Sequence, residues 1–205
     1  MTNEGNRSND DLRRIVRHYI REWRPAAEAE REYYRSKSFD DAIVLAGRAI
    51  VENHKHPHQY RLSKSTLEQA TQALAARKSR LRSCKSFADL FTTVEELVGV
   101  IPGIGELYVY DTAQRLGANL GRQPTQVYLH RGARDGALNI GMDPNKSTLE
   151  ISDLPGAFKL LSAEEAEDCL CIYKDHLKQW SSGVPISDLS LGNSCGRGRR
   201  HHRRC

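Results

Sequence analysis

Residues 98–117 read VGVIPGIGELYVYDTAQRLG. Upstream, Phe87, Leu90, Phe91, Val94, Leu97 and Val98 recur at helical spacing as far as Gly99. Downstream, Leu107, Tyr110, Ala113, Leu116 and Leu120 trace a second helix that Gly121 ends. Between them Pro102, Gly103 and Gly105 interrupt both periodicities. A proline and two glycines so close together specify a tight turn whose backbone amides are open to a ligand. The stretch therefore reads as helix, tight turn, helix.

The flanks follow the same period. Leu12, Ile15, Val16, Tyr19, Ile20 and Trp23 form an apolar stripe with arginines opposite, and Pro25 opens a second, more charged helix. Ser38 with Asp41 resembles a capping box ahead of Phe39, Ala42, Ile43, Ala46 and Ile50. Ser65 with Glu68 predicts the next helix start, carrying Leu67, Ala70, Leu74 and Leu81. Ser162 with Glu165 caps a late helix bearing Ala166, Leu170, Tyr173 and Leu177. The segment TQVYLH, residues 125–130, fits a short strand or a helix opened by Pro124. These patterns predict an all-α domain of roughly seven to nine helices over residues 9–180. Residues 1–8 are expected to be a flexible N-terminus and 181–205 a flexible arginine-rich tail.

The chain has 205 residues, enough to bury a sizeable core. No apolar run is long enough to cross a membrane and the opening residues are charged, so a cytoplasmic protein without a membrane partner is expected. The five cysteines, Cys84, Cys169, Cys171, Cys195 and Cys205, are odd in number and scattered, which reads as reduced thiols. The net charge of +5 is local: residues 195–205, CGRGRRHHRRC, hold Arg197, Arg199, Arg200, Arg203 and Arg204 and no acid. Residues 1–194 are thus formally neutral. The tail has almost nothing to bury, so it is expected to be disordered; it reads either as a sequence-independent phosphate clamp or as a terminus without a role.

The pattern IPGIG between two helices resembles the helix-hairpin-helix motif, in which an apolar residue, Pro, Gly, an apolar residue and Gly follow one another. The resemblance covers residues 93–117. It implies that Gly103, Ile104 and Gly105 donate amides to a nucleic-acid backbone, assisted by the positive end of the following helix. Such contacts position the protein without reading sequence. The layout is also distantly similar to that of the helix-hairpin-helix DNA glycosylases. Leu107 stands where those enzymes carry their catalytic lysine, and Tyr128, in Val127–His130, where they carry their aspartate. Both catalytic groups are therefore missing at the matching places.

Three other groups of residues carry possible chemistry. Tyr128, His130, Arg131 and Arg134 combine a ring with basic groups, suited either to stacking and phosphate contact or to core and solvated face. Asp111 reads as a buried acid facing a cleft or as the helical partner of Arg115. His54, His56 and His58 alternate in HKHPH, a segment that itself holds no acid or thiol. That loop reads as a polar connection, anchored by His58, Gln59 and Arg61, and no metal or cofactor is expected.

The expectation is an all-α fold binding nucleic acid, DNA before RNA, without catalysis. The alternatives are a structural or protein-interaction domain and a glycosylase-like enzyme with Asp111 as a relocated acid. A basic rim around residues 99–106 would favour nucleic acid, a rim of Glu95, Glu96 and Glu106 the interaction domain, and a pocket enclosing Asp111 with His130 the enzyme.

Overall fold

Serine side chains start four of the ten helices among the described residues. Helix α3 (Phe39–Gly47) begins where Ser38 accepts the Asp41 amide, and α6 (Phe87–Val98) and α9 (Ala163–Ile172) begin with reciprocal capping boxes, Ser86 with Asp89 and Ser162 with Glu165. Helix α4 (Lys64–Ala75) is capped by Ser63, not Ser65, because the Ser63 hydroxyl is the one that reaches the Thr66 amide, at 3.0 Å. The computed structural model of the chain describes residues 4–186, 188 and 189, with side chains from residue 9.

Ten α-helices dominate the described residues. In addition to those above they are α1 (Glu4–Glu22), α2 (Arg24–Arg35), α5 (Lys78–Ser83), α7 (Glu106–Leu120), α8 (Arg131–Asn139) and α10 (Lys174–Ser181). Helix α7 ends at Gly121, whose φ of 66° is the left-handed conformation that a glycine cap supplies without strain. Three 3-10 turns and two short antiparallel strand pairs complete the described residues. In one, β1 (Ile50–Val51) pairs with β2 (His54–Lys55); in the other, β3 (Val127–Tyr128) pairs with β4 (Thr148–Leu149). TQVYLH thus contains a short strand rather than a helix.

The apolar faces assemble into two clusters. In one, Leu12, Ile15, Val16 and Tyr19 of α1 pack on Ala133 and Ala137 of α8, Phe158, Leu170 of α9 and Leu177 of α10. In the other, Tyr34 of α2, Ile43 of α3, Leu74 of α4, Leu81 of α5, Leu90 and Val94 of α6 and Leu116 of α7 close around one another. Asn119 of α7 ties itself to α2 by donating to the Tyr34 and Lys37 carbonyls at 2.8 and 2.9 Å. Helices α8 and α9 approach closely at Gly136, where a Cβ would lie 2.7 Å from the Leu170 carbonyl carbon. No helix among the described residues is long and apolar enough to cross a membrane.

Candidate functional site

Two places along α7 attract attention: the turn before it and the buried face along its middle. In the turn, the Ile101 amide bonds to the Val98 carbonyl and the Ile104 amide to the Ile101 carbonyl, both at 3.0 Å. Ile101 and Ile104 are half-buried against the second cluster. Gly103 adopts φ +91°, a conformation that side chains resist, and Gly105 is an extended N-cap without a side-chain cap. The amides of Gly103, Gly105, Glu106 and Leu107 find no hydrogen-bond acceptor among the described residues. They are the first orphan donors of α7 and the turn before it. The Ile104 amide, by contrast, is already used inside the turn.

The rim of this turn is acidic. Glu95, Glu96 and Glu106 are exposed, and Arg80, the basic group beside them, is paired with Glu96. Thr66, near the start of α4, flanks Gly103.

The other residues singled out from the sequence are scattered in role. Tyr128 is half-buried in an aromatic group with Phe87, Phe91 and Tyr110, ring centroids 4.9–5.6 Å away. Arg134 donates to the carbonyls of Leu129, Pro144 and Lys146 at 2.5, 2.6 and 3.2 Å, so its guanidinium fastens the loop before β4. Arg131 is exposed at the first position of α8. His130 is buried and its Nε2 lies 2.5 Å from Glu167 Oε1. Arg197, Arg199, Arg200, Arg203 and Arg204 lie outside the described residues.

The buried face of α7 presents Leu107, Asp111, Gln114, Arg115 and Ala118 at helical spacing to a cavity of about 30 Å³. Glu30 and Arg31 of α2, His56 and His58 after β2, His130, and Glu164, Glu167 and Asp168 of α9 complete its polar lining. Asp111 with His130 in one cavity is the arrangement that the enzyme alternative requires.

Asp111 Oδ2 accepts from Gln59 Nε2 at 2.7 Å and from Arg115 Nη2 at 3.5 Å, and His58 Nδ1 lies 3.2 Å away. Burial alone would raise the Asp111 carboxyl. The His58 contact and the Arg115 guanidinium outweigh it and hold the group far below the usual carboxylate range. Glu30 joins the two sides of the site, with Oε2 3.6 Å from His56 Nε2 and Oε1 3.8 Å from Arg115 Nε. Burial lowers the His56 imidazole, prevailing over the upward pull of Glu30. Further along α9, Asp168 accepts from the Tyr19 hydroxyl at 2.9 Å, and Glu164 lies 3.4 Å from Arg31.

The cavity has five carboxylates against two guanidiniums. With its histidines neutral the lining is acidic, and its volume suits a water or two, or an ion, not a nucleobase. Asp111 and His58 are 53 positions apart, so only the folded chain shows the group. One signal for it lies in the sequence: Asp111 and Arg115, four apart, interrupt the apolar side of α7. Comparison with protein-family models, curated proteins and solved structures returns no match to this chain.

Proposed function

We propose that α6, the turn and α7 form a helix-hairpin-helix element through which the chain binds nucleic acid, DNA before RNA, by its backbone and without reading sequence. The open amides of Gly103, Gly105, Glu106 and Leu107 support this reading. They lie at and just before the start of a fifteen-residue helix, where aligned dipoles and unpaired N–H groups favour an anion. The amide of Ile104 takes no part, and its side chain instead anchors the turn in the core. Arg131 extends the contact, and the arginines of the tail add salt-sensitive affinity. The acidic rim limits the strength of binding and favours the rival reading of a protein-interaction element.

Anisotropy of labelled single- and double-stranded DNA across a salt series tests the proposal. The proteins are the full chain, a version ending at Ser194, and that version with Gly103→Ala and Gly105→Ala. Binding by the shortened protein, with a log–log slope of about −0.9 per phosphate contacted, and its loss in the glycine variant are expected. Binding that vanishes with the tail alone overturns the role of the hairpin.

A second reading is favoured by one observation, the cavity that encloses both Asp111 and His130. It would make the chain a glycosylase-like enzyme in which the ionised Asp111 carboxylate stabilises the cationic sugar or activates a water, in a cavity that must open to admit a base. Base release from uracil-, alkyl- or oxidised-base duplexes, lost in Asp111→Asn, is its expected result. Intact duplexes after prolonged incubation sink it.

A further inference from the structure

We propose that His56, His58 and Asp111 bind one divalent metal ion of zinc type, with Glu30 and Gln59 as positioning residues behind His56 and Asp111. This inference stands apart from the hairpin and from any action on nucleic acid.

The donor set comes first. One ligand atom from each of the three residues lies within 4.8 Å of the other two. Two imidazoles and a carboxylate are a common zinc set, and three protein ligands leave a further position for water or substrate. Ligand atoms about 2.0–2.2 Å from a tetrahedral ion are roughly 3.3 Å apart. His58 Nδ1 and Asp111 Oδ2 already sit at 3.2 Å, and the His56 nitrogen, within 4.8 Å of both, draws in to complete the set when the ion binds.

The second observation is the state of His56. It is 4% exposed, yet its Nδ1 is buried without a hydrogen-bond partner. The Glu30 carboxylate beside Nε2 favours the tautomer with the proton there, which leaves the Nδ1 lone pair for a metal. This carboxylate–histidine relay is the usual support for a ligating imidazole. Gln59 plays the same part for Asp111, fixing its carboxylate from a position that is 1% exposed.

The frame is rigid enough to hold such a site. The β1–β2 pairing, the 2.7 Å bond from the His56 amide to the Ala49 carbonyl, and the Lys55 ammonium on the Leu62 carbonyl at 2.6 Å fix the loop that carries both histidines. The cavity has room for an ion with a water, and its excess of carboxylates favours a cation. Arg115 lines the same space, with Nε and Nη1 buried and lacking hydrogen-bond partners. Those donors suit an oxyanion or hydroxide held at the open position of the metal.

The test uses the full chain with His201→Ala and His202→Ala, so that the tail histidines do not compete for metal. After chelation and dialysis it is titrated with Zn²⁺ by calorimetry and with Co²⁺ by visible absorption. One equivalent of each is expected, with cobalt bands typical of a nitrogen and oxygen set. His56→Ala and His58→Ala each lower affinity at least about 100-fold, Glu30→Gln about 10- to 100-fold, and His54→Ala, at the exposed neighbour, not at all. Far-UV circular dichroism shows which variants are folded, and Glu30→Gln, the mildest change, decides if the alanine variants are not. Absence of stoichiometric binding overturns the proposal. So does affinity unchanged in folded His56→Ala or Glu30→Gln.

Discussion

Replacing Asp111 by Asn keeps the size of the side chain and removes its charge, which isolates what the carboxylate does for the buried centre. Its side chain is 9% exposed and that of Arg115 3%, so solvent screens the pair little. Removing one partner of a buried pair costs about 3–5 kcal/mol, because the other charge is left uncompensated. Glu30 still stands 3.8 Å from Arg115 Nε, and the Asn carbonyl still accepts from Gln59, which places the loss near the lower end, about 3 kcal/mol. For a chain of this size each kcal/mol moves Tm by about 2–4 °C, so Asp111→Asn melts about 6–12 °C lower at pH 7. Both proteins are compared by circular dichroism after chelation, so that a metal does not enter the difference.

The pH dependence separates this carboxylate from its neighbours. The folded Asp111 is held far below its unfolded value of about 3.9, so the folded state binds fewer protons and the stabilisation is complete only above that value. It is lost as pH falls toward the folded value, and the gap between wild type and Asp111→Asn closes below about pH 4. His56 is also lowered, from about 6.5, so its contribution is complete above that pH and declines below it in both proteins. A Tm within about 2 °C of wild type at pH 7, or a gap that stays constant from pH 7 to pH 3, refutes the reasoning.

Other consequences are as direct. Gly136→Ala drives a methyl into the backbone of Leu170, where no side chain can move aside, and forces α8 away from α9; a loss of about 3 kcal/mol in urea unfolding is expected, and an unchanged midpoint contradicts the packing. Tyr108→Phe removes the 2.6 Å bond from its hydroxyl to the Gly47 carbonyl, leaving a buried acceptor empty at about 1–3 kcal/mol, readable in the same assay. Burial pushes the Tyr108 hydroxyl up to about 12, so ultraviolet titration of Tyr108→Phe should lose a tyrosine that ionises late, not one that titrates near 10. Glu106→Gln takes a negative charge from the start of α7 and should tighten DNA binding severalfold at low salt; weaker binding would place the DNA elsewhere.

Much of the helical framework was legible because it is written locally. Ser38, Ser86 and Ser162 each meet the residue three positions on, and Gly121 ends α7 in the left-handed conformation that glycine favours. Ser63 shows the limit of that reading: Ser65 and Glu68 carry an equally good pattern, and the difference lies in which hydroxyl faces the first free amide. The strand in TQVYLH could not be told from a helix because its partner, Thr148–Leu149, lies beyond α8. Helix α9 reads as amphipathic along Ala166 and Leu170, yet all ten of its residues are buried. Its acids are met by Arg24, Arg31, His130 and Tyr19, all far away in sequence. For the same reason HKHPH shows no acid of its own, and the fold supplies Asp111 from α7.

The packing of α1 has a consequence for how the chain is made. Its apolar stripe is covered by residues 127–189, and Tyr19 finds Asp168 only 149 positions later. The cluster formed by α2–α7 can close while synthesis continues, since its members all lie within residues 34–118. At about 5–20 residues per second, α1 waits roughly 7–30 s on the ribosome with its apolar side bare. Helix α1 thus emerges before the α2–α7 cluster and is buried after it, and during that interval it is the natural target for a chaperone or for a neighbouring nascent chain.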